Sequence, residues 1–300
     1  MTREDFCLSY HEINFELELS RRVGRSFQDL FEQIMQKHDR SFVPVKPMGK
    51  AGDWKSDGFS LDSGTVYQCY APEEMTGPEA ARKVVDDFDG AMKHWQEKMR
   101  AWTFVWISER ALPPQVVDRL ATLRANQPGI LIGHMGREAL WKIVSALPMA
   151  DRVALLGPAP ELTVAPTTTA AEIQVLMIHL GKRAVIISDH PDFDLTAIAE
   201  KLQRNGLSAA VTNMVRPALP VSRLVRDYVT HMPDPDFSTN IATDLATKYR
   251  ELAESTDNPD VVFGSLVDYV LGEQRADPKF FWAAAGIVTH YFELCDVFER

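Results

Sequence analysis

The stretch Gly52-Asp53-Trp54-Lys55-Ser56-Asp57-Gly58-Phe59-Ser60-Leu61-Asp62-Ser63-Gly64-Thr65-Val66-Tyr67-Gln68-Cys69-Tyr70 decides the fold. Residues 58–61 and 65–70 are rich in β-branched and aromatic types and flank the turn-forming Asp62-Ser63-Gly64, which predicts a β-hairpin. Pro72 ends the second strand, because proline brings no N–H to the ladder. Upstream, Phe27, Leu30, Phe31, Ile34 and Met35 recur at i, i+3, i+4, i+7 and i+8. That spacing predicts an amphipathic helix over 26–38, capped by Ser26, followed by an extended Phe42-Val43-Pro44-Val45.

Downstream, a helix is expected from Pro78 to about Arg100, with Ala81, Val84, Val85, Phe88, Ala91, Met92, Trp95 and Met99 on one face. Trp102-Thr103-Phe104-Val105-Trp106-Ile107 has the near-continuous apolar character of a strand buried on both sides. A helix over 114–126, a strand over 130–132 and a helix over 136–146 complete an alternating α/β pattern. Turn and linker residues then gather between Gly157 and Thr169. The expected organisation is an α/β domain over 1–155, a linker over 156–170 and a mainly α-helical domain over 171–300. The second domain's helices are expected at 170–180, 192–204, 220–231, 236–255, 259–272 and 277–298. Pro217, Pro220, Pro233, Pro235, Pro259 and Pro278 stand at the proposed breaks.

Three hundred residues leave room for two such cores. No apolar run reaches the roughly 18 residues of a membrane span, and the polar start Met1-Thr2-Arg3-Glu4-Asp5 is unlike a signal peptide. Cys7, Cys69 and Cys295 are odd in number and far apart, which argues for a reducing compartment, with cytoplasm as the expectation, and against a disulfide framework or zinc site. The formal charge is −10, and residues 1–105 hold 14 Lys and Arg against 18 Asp and Glu, a net of −4. Phosphate neutralisation supplies most nucleic-acid affinity, so this balance speaks against tight, unaided DNA binding and leaves room for a partner that delivers the DNA.

The chemistry-bearing residues fall in a definite order: Phe31-Glu32 on a helix, Asp57-Gly58 entering the hairpin, and Tyr67-Gln68-Cys69-Tyr70 on its second strand. Carboxylates at the ends of adjacent strands can hold a divalent metal, and a nearby cation can steady the charge that builds on phosphorus. With Gly52-Asp53 ahead of Asp57-Gly58, the order resembles the Mrr branch of the PD-(D/E)xK nucleases, which uses glutamine in the second-strand slot. The resemblance implies a restriction-endonuclease-like fold for the α/β domain, and a Mg2+-dependent endodeoxyribonuclease site. It makes Asp57, Gln68 and Glu32 the metal ligands and puts Tyr70 in the lysine position. Tyrosine carries no positive charge at neutral pH, so Lys55, or Lys83 on the following helix, would have to supply it. Gly58 would let the backbone pass close to the metal. Plainer readings stand beside these: Glu32 as a solvated glutamate well round the helix from the apolar stripe, Asp57-Gly58 as an ordinary turn, Tyr67 and Tyr70 as strand aromatics.

Phe88 with His94-Trp95, Ala101-Trp102-Thr103-Phe104-Val105, Leu112-Pro113-Pro114-Gln115-Val116 and Leu155-Leu156-Gly157-Pro158 resemble segments of the effector subunits of bacterial ABC-three-component conflict systems. In the second half, Lys201-Leu202, Asn205, Leu207-Ser208, Ser222-Arg223-Leu224-Val225, Tyr228 and the ending from His290 to Glu299 are similar to those subunits' C-terminal domain. This resemblance implies defence against phage or other invading DNA. It further implies two partners, an ABC ATPase of the SMC type used in chromosome maintenance and repair and a small middle component. The chain itself has no Gly-x4-Gly-Lys-Ser/Thr phosphate loop, so ATP hydrolysis would fall to the partner.

Phe280, Phe281, Trp282, Ile287, Val288, Tyr291, Phe292, Val297 and Phe298 are too many large apolar groups for one stripe, so the last helix is either central to its domain or docks on a partner. Asp189-His190-Pro191-Asp192-Phe193-Asp194 could hold a metal or form a polar loop capping the next helix. Arg21-Arg22 and Arg25 with Lys46, Lys50 and Lys55 offer a DNA-facing patch or a solvated charged surface.

Overall fold

The computed structural model describes residues 1–46, 54–72, 76–109, 111–182, 198–275, 277–294 and 298. The chain opens with helix α1 (Arg3–Ser20), then α2 (Gly24–His38), β1 (Phe42–Pro44), β2 (Gly58–Ser60), β3 (Thr65–Tyr70) and α3 (Gly77–Trp95). It continues with β4 (Ala101–Trp106), α4 (Pro114–Asn126), β5 (Leu131–Met135), α5 (Arg137–Ala146) and α6 (Met149–Leu156). A 3-10 turn (Leu162–Thr167) leads to α7 (Ala170–Gly181), α8 (Ile198–Arg204), α9 (Ala209–Thr230), α10 (Phe237–Ser255), α11 (Pro259–Leu271) and α12 (Pro278–Glu293). The contacts divide the chain into Arg21–Leu155 and a second unit made of Met1–Ser20 with Leu156–Arg300. Thus α1, which lies within the sequence range 1–155, packs with the C-terminal helices.

The first unit is built on a five-stranded mixed sheet in the order β1-β2-β3-β4-β5, antiparallel as far as β3 and parallel from there on. The hairpin forms as its sequence predicts, with Gly58 opposite Tyr67 and Ser60 opposite Thr65. Gly64 closes the turn at φ +65°, and a Cβ there would lie 2.8 Å from the Lys98 carbonyl, so only glycine fits. α3 ends at Trp95, five residues before the expected Arg100. Arg100 N–H must donate to Gly64 O at 2.8 Å to start β4 beside β3, which a continuing helix would forbid. Alternation along the strands sends Phe59, Val66, Trp102, Phe104 and Ile132 to one face, where Ala80, Ala81, Val84, Phe88 and Ala91 of α3 cover them. Tyr67 points the other way, against Phe31 of α2 and Phe42 of β1. At the start of α2, Ser26 occupies the third helical position, not the cap. Its hydroxyl donates to Val23 O at 2.8 Å and accepts from Val23 N–H at 3.0 Å.

The second unit is helical. α12 is buried along nearly its whole length from Trp282 to Phe292 and packs on α7, α9 and α11, so the last helix is the centre of this unit. Gly286 lets α9 come close, since a Cβ there would lie 2.5 Å from Val221 Cγ1. Pro217 and Pro220 lie inside α9, which starts eleven residues before the expected 220. Each proline removes a helical hydrogen bond at about 3 kcal/mol. Burial of Met214, Val215, Ala218, Val221 and Val225 against neighbouring helices outweighs that cost. Pro259 and Pro278 stand in the first turns of α11 and α12, where proline is tolerated. The stretch expected as a linker contains the 3-10 turn, with Ala165 buried and Glu161 O accepting from Trp282 Nε1 at 3.0 Å. Among the described residues no helix is long and apolar enough to cross a membrane.

Candidate functional site

Register puts the first two candidate residues side by side. The β2–β3 ladder pairs Gly58 with Tyr67, so the next pair outward is Asp57 with Gln68, and directly opposed residues share a face. Asp57 N–H donates to Tyr67 O at 2.9 Å, which carries the pairing one residue beyond the strand. The side chains meet: Gln68 Nε2 donates to Asp57 Oδ2 at 2.9 Å, and Cys69 N–H donates to the same oxygen at 2.7 Å. Both residues are buried. Gln68 Oε1 has no hydrogen-bond partner among the described residues. A buried, unpartnered amide oxygen beside a carboxylate is a costly arrangement, of order 1–3 kcal/mol, that a bound cation would relieve.

Glu32 is neither solvated nor in contact with that pair. It is buried on α2, where Gln28 Nε2 donates to its Oε1 at 3.3 Å and Lys46 pairs with its Oε2 at 3.2 Å. α2 covers the sheet face of Tyr67 and Cys69, opposite to that of Gln68. The Cys69 thiol feels both sides: burial first, then the charges of Asp57 and Glu32, raise its pKa well above the usual thiol value. Among the described residues no three His, Cys, Asp or Glu side chains lie close enough together to hold a metal ion. Asp57 and Gln68 thus meet through their side chains, while Glu32 pairs with Gln28 and Lys46.

Tyr70 shares the face of Gln68 and stacks on Phe104 and Trp106 at 5.8 and 6.0 Å. Burial, and then the charges of Glu79 and Asp87, raise its phenol pKa above 10, so it stays neutral. Positive charge comes from elsewhere on the same side. Lys55 Nζ lies 3.1 Å from Asp87 Oδ1 and Lys83 Nζ 2.5 Å from Asp87 Oδ2, with Asp87 wholly buried on α3. The Lys83–Asp87 i,i+4 spacing was visible in the sequence, but the meeting with Lys55 depends on the tertiary fold. Trp54 and Lys55 both take left-handed backbone, at φ +54° and +55°. Trp54 stacks on His94 at 5.3 Å, and its carbonyl accepts from Trp95 Nε1 at 3.2 Å.

At Gly58 a Cβ would lie 2.3 Å from the Phe42 ring, so packing alone calls for glycine there. In the basic patch, Lys46 also lies 3.9 Å from Asp29, so both it and Lys55 are engaged with carboxylates of their own unit. Lys50, Gly52-Asp53, the Asp189–Asp194 cluster and Cys295 lie outside the described residues.

In the second unit, residues 172–299 span α7 to the end of α12 and beyond. They match the family model for C-terminal domain 10 of the ABC-three component (ABC-3C) systems. The likeness to the ABC-three component family is thus carried by the helical part of the chain. The matched domain is organised around α12, and it leaves out α1, which packs on α9 and α11 of the same unit. No curated protein and no solved structure matches the chain.

Proposed function

We propose that the protein is the DNA-acting effector subunit of an ABC-three component defence system, with an α/β domain of restriction-endonuclease type. The observation that carries this reading is the buried Asp57–Gln68 pair with its unpartnered Gln68 Oε1. The C-terminal match supports the system, and with it a cytoplasmic assembly containing an ABC ATPase and a middle component.

Two buried oxygen donors suit Mg2+, which keeps several waters and binds through one or two protein groups plus substrate phosphate. The ion, when bound, would polarise a phosphoryl oxygen and acidify a water. The chain's own residues do the rest. Cys69 N–H fixes Asp57 Oδ2. Gln68 leaves its amide oxygen without a hydrogen-bond partner among the described residues. Lys55 and Lys83 bring the charge that Tyr70 does not, and Glu32 would join only by releasing Lys46.

Cleavage of duplex DNA by the protein with its ATPase and middle component, in Mg2+ or Mn2+, tests this reading. Activity lost in Asp57→Ala supports it, and equal background from both proteins overturns it. A second reading, a non-catalytic DNA-sensing subunit, is favoured by neutral Tyr70 in the lysine position and by Glu32 held at Lys46. It expects DNA binding without cleavage in the same assay.

A further inference from the structure

We propose that Asp87 is a positioning residue that gathers the Lys55 and Lys83 ammonium groups into a paired site for a phosphodiester oxygen of DNA. This rests on the DNA-acting reading above and deepens it. Both nitrogens bond the same oxygen, Asp87 Oδ1, at 3.1 and 2.5 Å, so they lie within about 6 Å of each other. Two like charges so close repel unless an anion lies between them, and Asp87 is that anion. Both lysine side chains keep solvent access, at 47% and 35%, while Asp87 has none. The pair therefore faces outward on a buried anchor.

The fold goes to some length to bring Lys55 there. Two consecutive non-glycine residues are held in left-handed backbone, which costs about 1 kcal/mol or more each and is characteristic of functional sites. The Trp54 ring on His94 and the Trp95 hydrogen bond hold that turn on α3. Gly90 clears the path, because a Cβ there would lie 2.4 Å from Lys55 Cγ. Lys55 leads by two residues into Asp57, and Asp87 is near enough to Tyr70 to raise its phenol, so the pair belongs to the Asp57–Gln68–Tyr70 side of the sheet.

The test is binding of a fluorescent duplex oligodeoxynucleotide to the full chain in EDTA, read by anisotropy over a salt series. Asp87→Asn removes a negative charge, so general electrostatics expects tighter binding. Positioning expects binding roughly three- to tenfold weaker, partly restored in Asp87→Glu. Lys55→Gln and Lys83→Gln each lower the slope of log K against log salt by about 0.9. Asp87→Asn binding as tightly as wild type or tighter overturns the proposal, as does wild type that fails to bind. If circular dichroism shows Asp87→Asn unfolded, unchanged slopes in the two half-exposed lysine variants overturn it instead. Asp87-dependent binding without any cleavage leaves this proposal standing and removes the nuclease reading. Asp57-dependent cleavage with Asp87-independent binding does the reverse.

Discussion

Replacing Gln68 by leucine separates a cation site from a merely buried amide. In the folded protein Gln68 makes one bond to a charged acceptor, the 2.9 Å contact to Asp57 Oδ2, worth about 1.5–3 kcal/mol. Its unpartnered Oε1 carries a desolvation penalty of about 1–3 kcal/mol. Leucine loses both, and Asp57 retains the Cys69 N–H. The two terms nearly cancel, so Gln68→Leu without divalent ions should unfold within about 1 kcal/mol of wild type. With the ion the proteins part. For a millimolar dissociation constant, 10 mM Mg2+ would stabilise wild type by about 1.4 kcal/mol, a rise in melting temperature of roughly 3–5 °C. Gln68→Leu should show little of it. The assay is thermal unfolding of both proteins in EDTA and in 10 mM MgCl2, with matched KCl to remove the ionic-strength effect. Equal shifts in the two proteins, or none in wild type, would refute the reasoning. So would a Gln68→Leu protein several kcal/mol less stable in EDTA, because that would mean Oε1 has a partner.

Three other outcomes are expected. Gly58→Ala should destabilise the α/β unit by about 1–3 kcal/mol in urea titration, because the added methyl meets the Phe42 ring at 2.3 Å; a neutral result would show that the ring can move aside. His290 is buried with neither ring nitrogen hydrogen-bonded among the described residues, and burial, then the Arg226 charge, lowers its pKa from 6.5 to about 4. Between these values the unfolded chain binds a proton the folded one does not, so stability falls as pH drops from about 6.5 to 4, by about 3 kcal/mol. His290→Phe should flatten this loss in melts across that pH range, and an unchanged slope would count against it. Gly264→Val should destabilise the helical unit by roughly 1–3 kcal/mol, since even its Cβ would lie 2.9 Å from Ile13 and 3.0 Å from Leu17 of α1; undiminished stability would argue that α1 is dispensable to that core.

Local chemistry made the hairpin legible: two β-rich runs around Asp62-Ser63-Gly64 give the register, and the register alone joins Asp57 to Gln68. α1 was not legible, because Ile13, Phe15, Leu17 and Leu19 alternate like a strand. In a helix such residues point to opposite sides, yet all four are buried. α9 was cut short at its prolines because their cost is local, whereas the packing that outweighs it comes from α12 and is tertiary. Glu32 was placed on the correct helix, but its partner Lys46 lies beyond a strand boundary that no periodicity shows. The meeting of Lys55 with Asp87 needed three things the sequence does not display: left-handed backbone at 54–55, the missing Cβ of Gly90, and the crossing of α3 over the sheet.

Tyr70 is then less an absence than a consequence. Its ring stacks on both Phe104 and Trp106, which meet each other at a tilt, on the face that α3 covers. Asp87, which holds the Lys55 and Lys83 ammonium groups, is among the charges the Tyr70 phenol feels, after Glu79. A lysine at position 70 would add a third cation to a partly buried site with one wholly buried carboxylate, and like charges at such distances disfavour one another. It would also give up the aromatic stacking, worth about 0.5–1.5 kcal/mol per pair beyond area burial. An aromatic residue at 70 and a lysine pair on Asp87 are therefore compatible. Tyr70→Lys should accordingly lose stability without adding DNA affinity, and a Tyr70→Lys protein that binds DNA tenfold more tightly would show that the position was waiting for its charge.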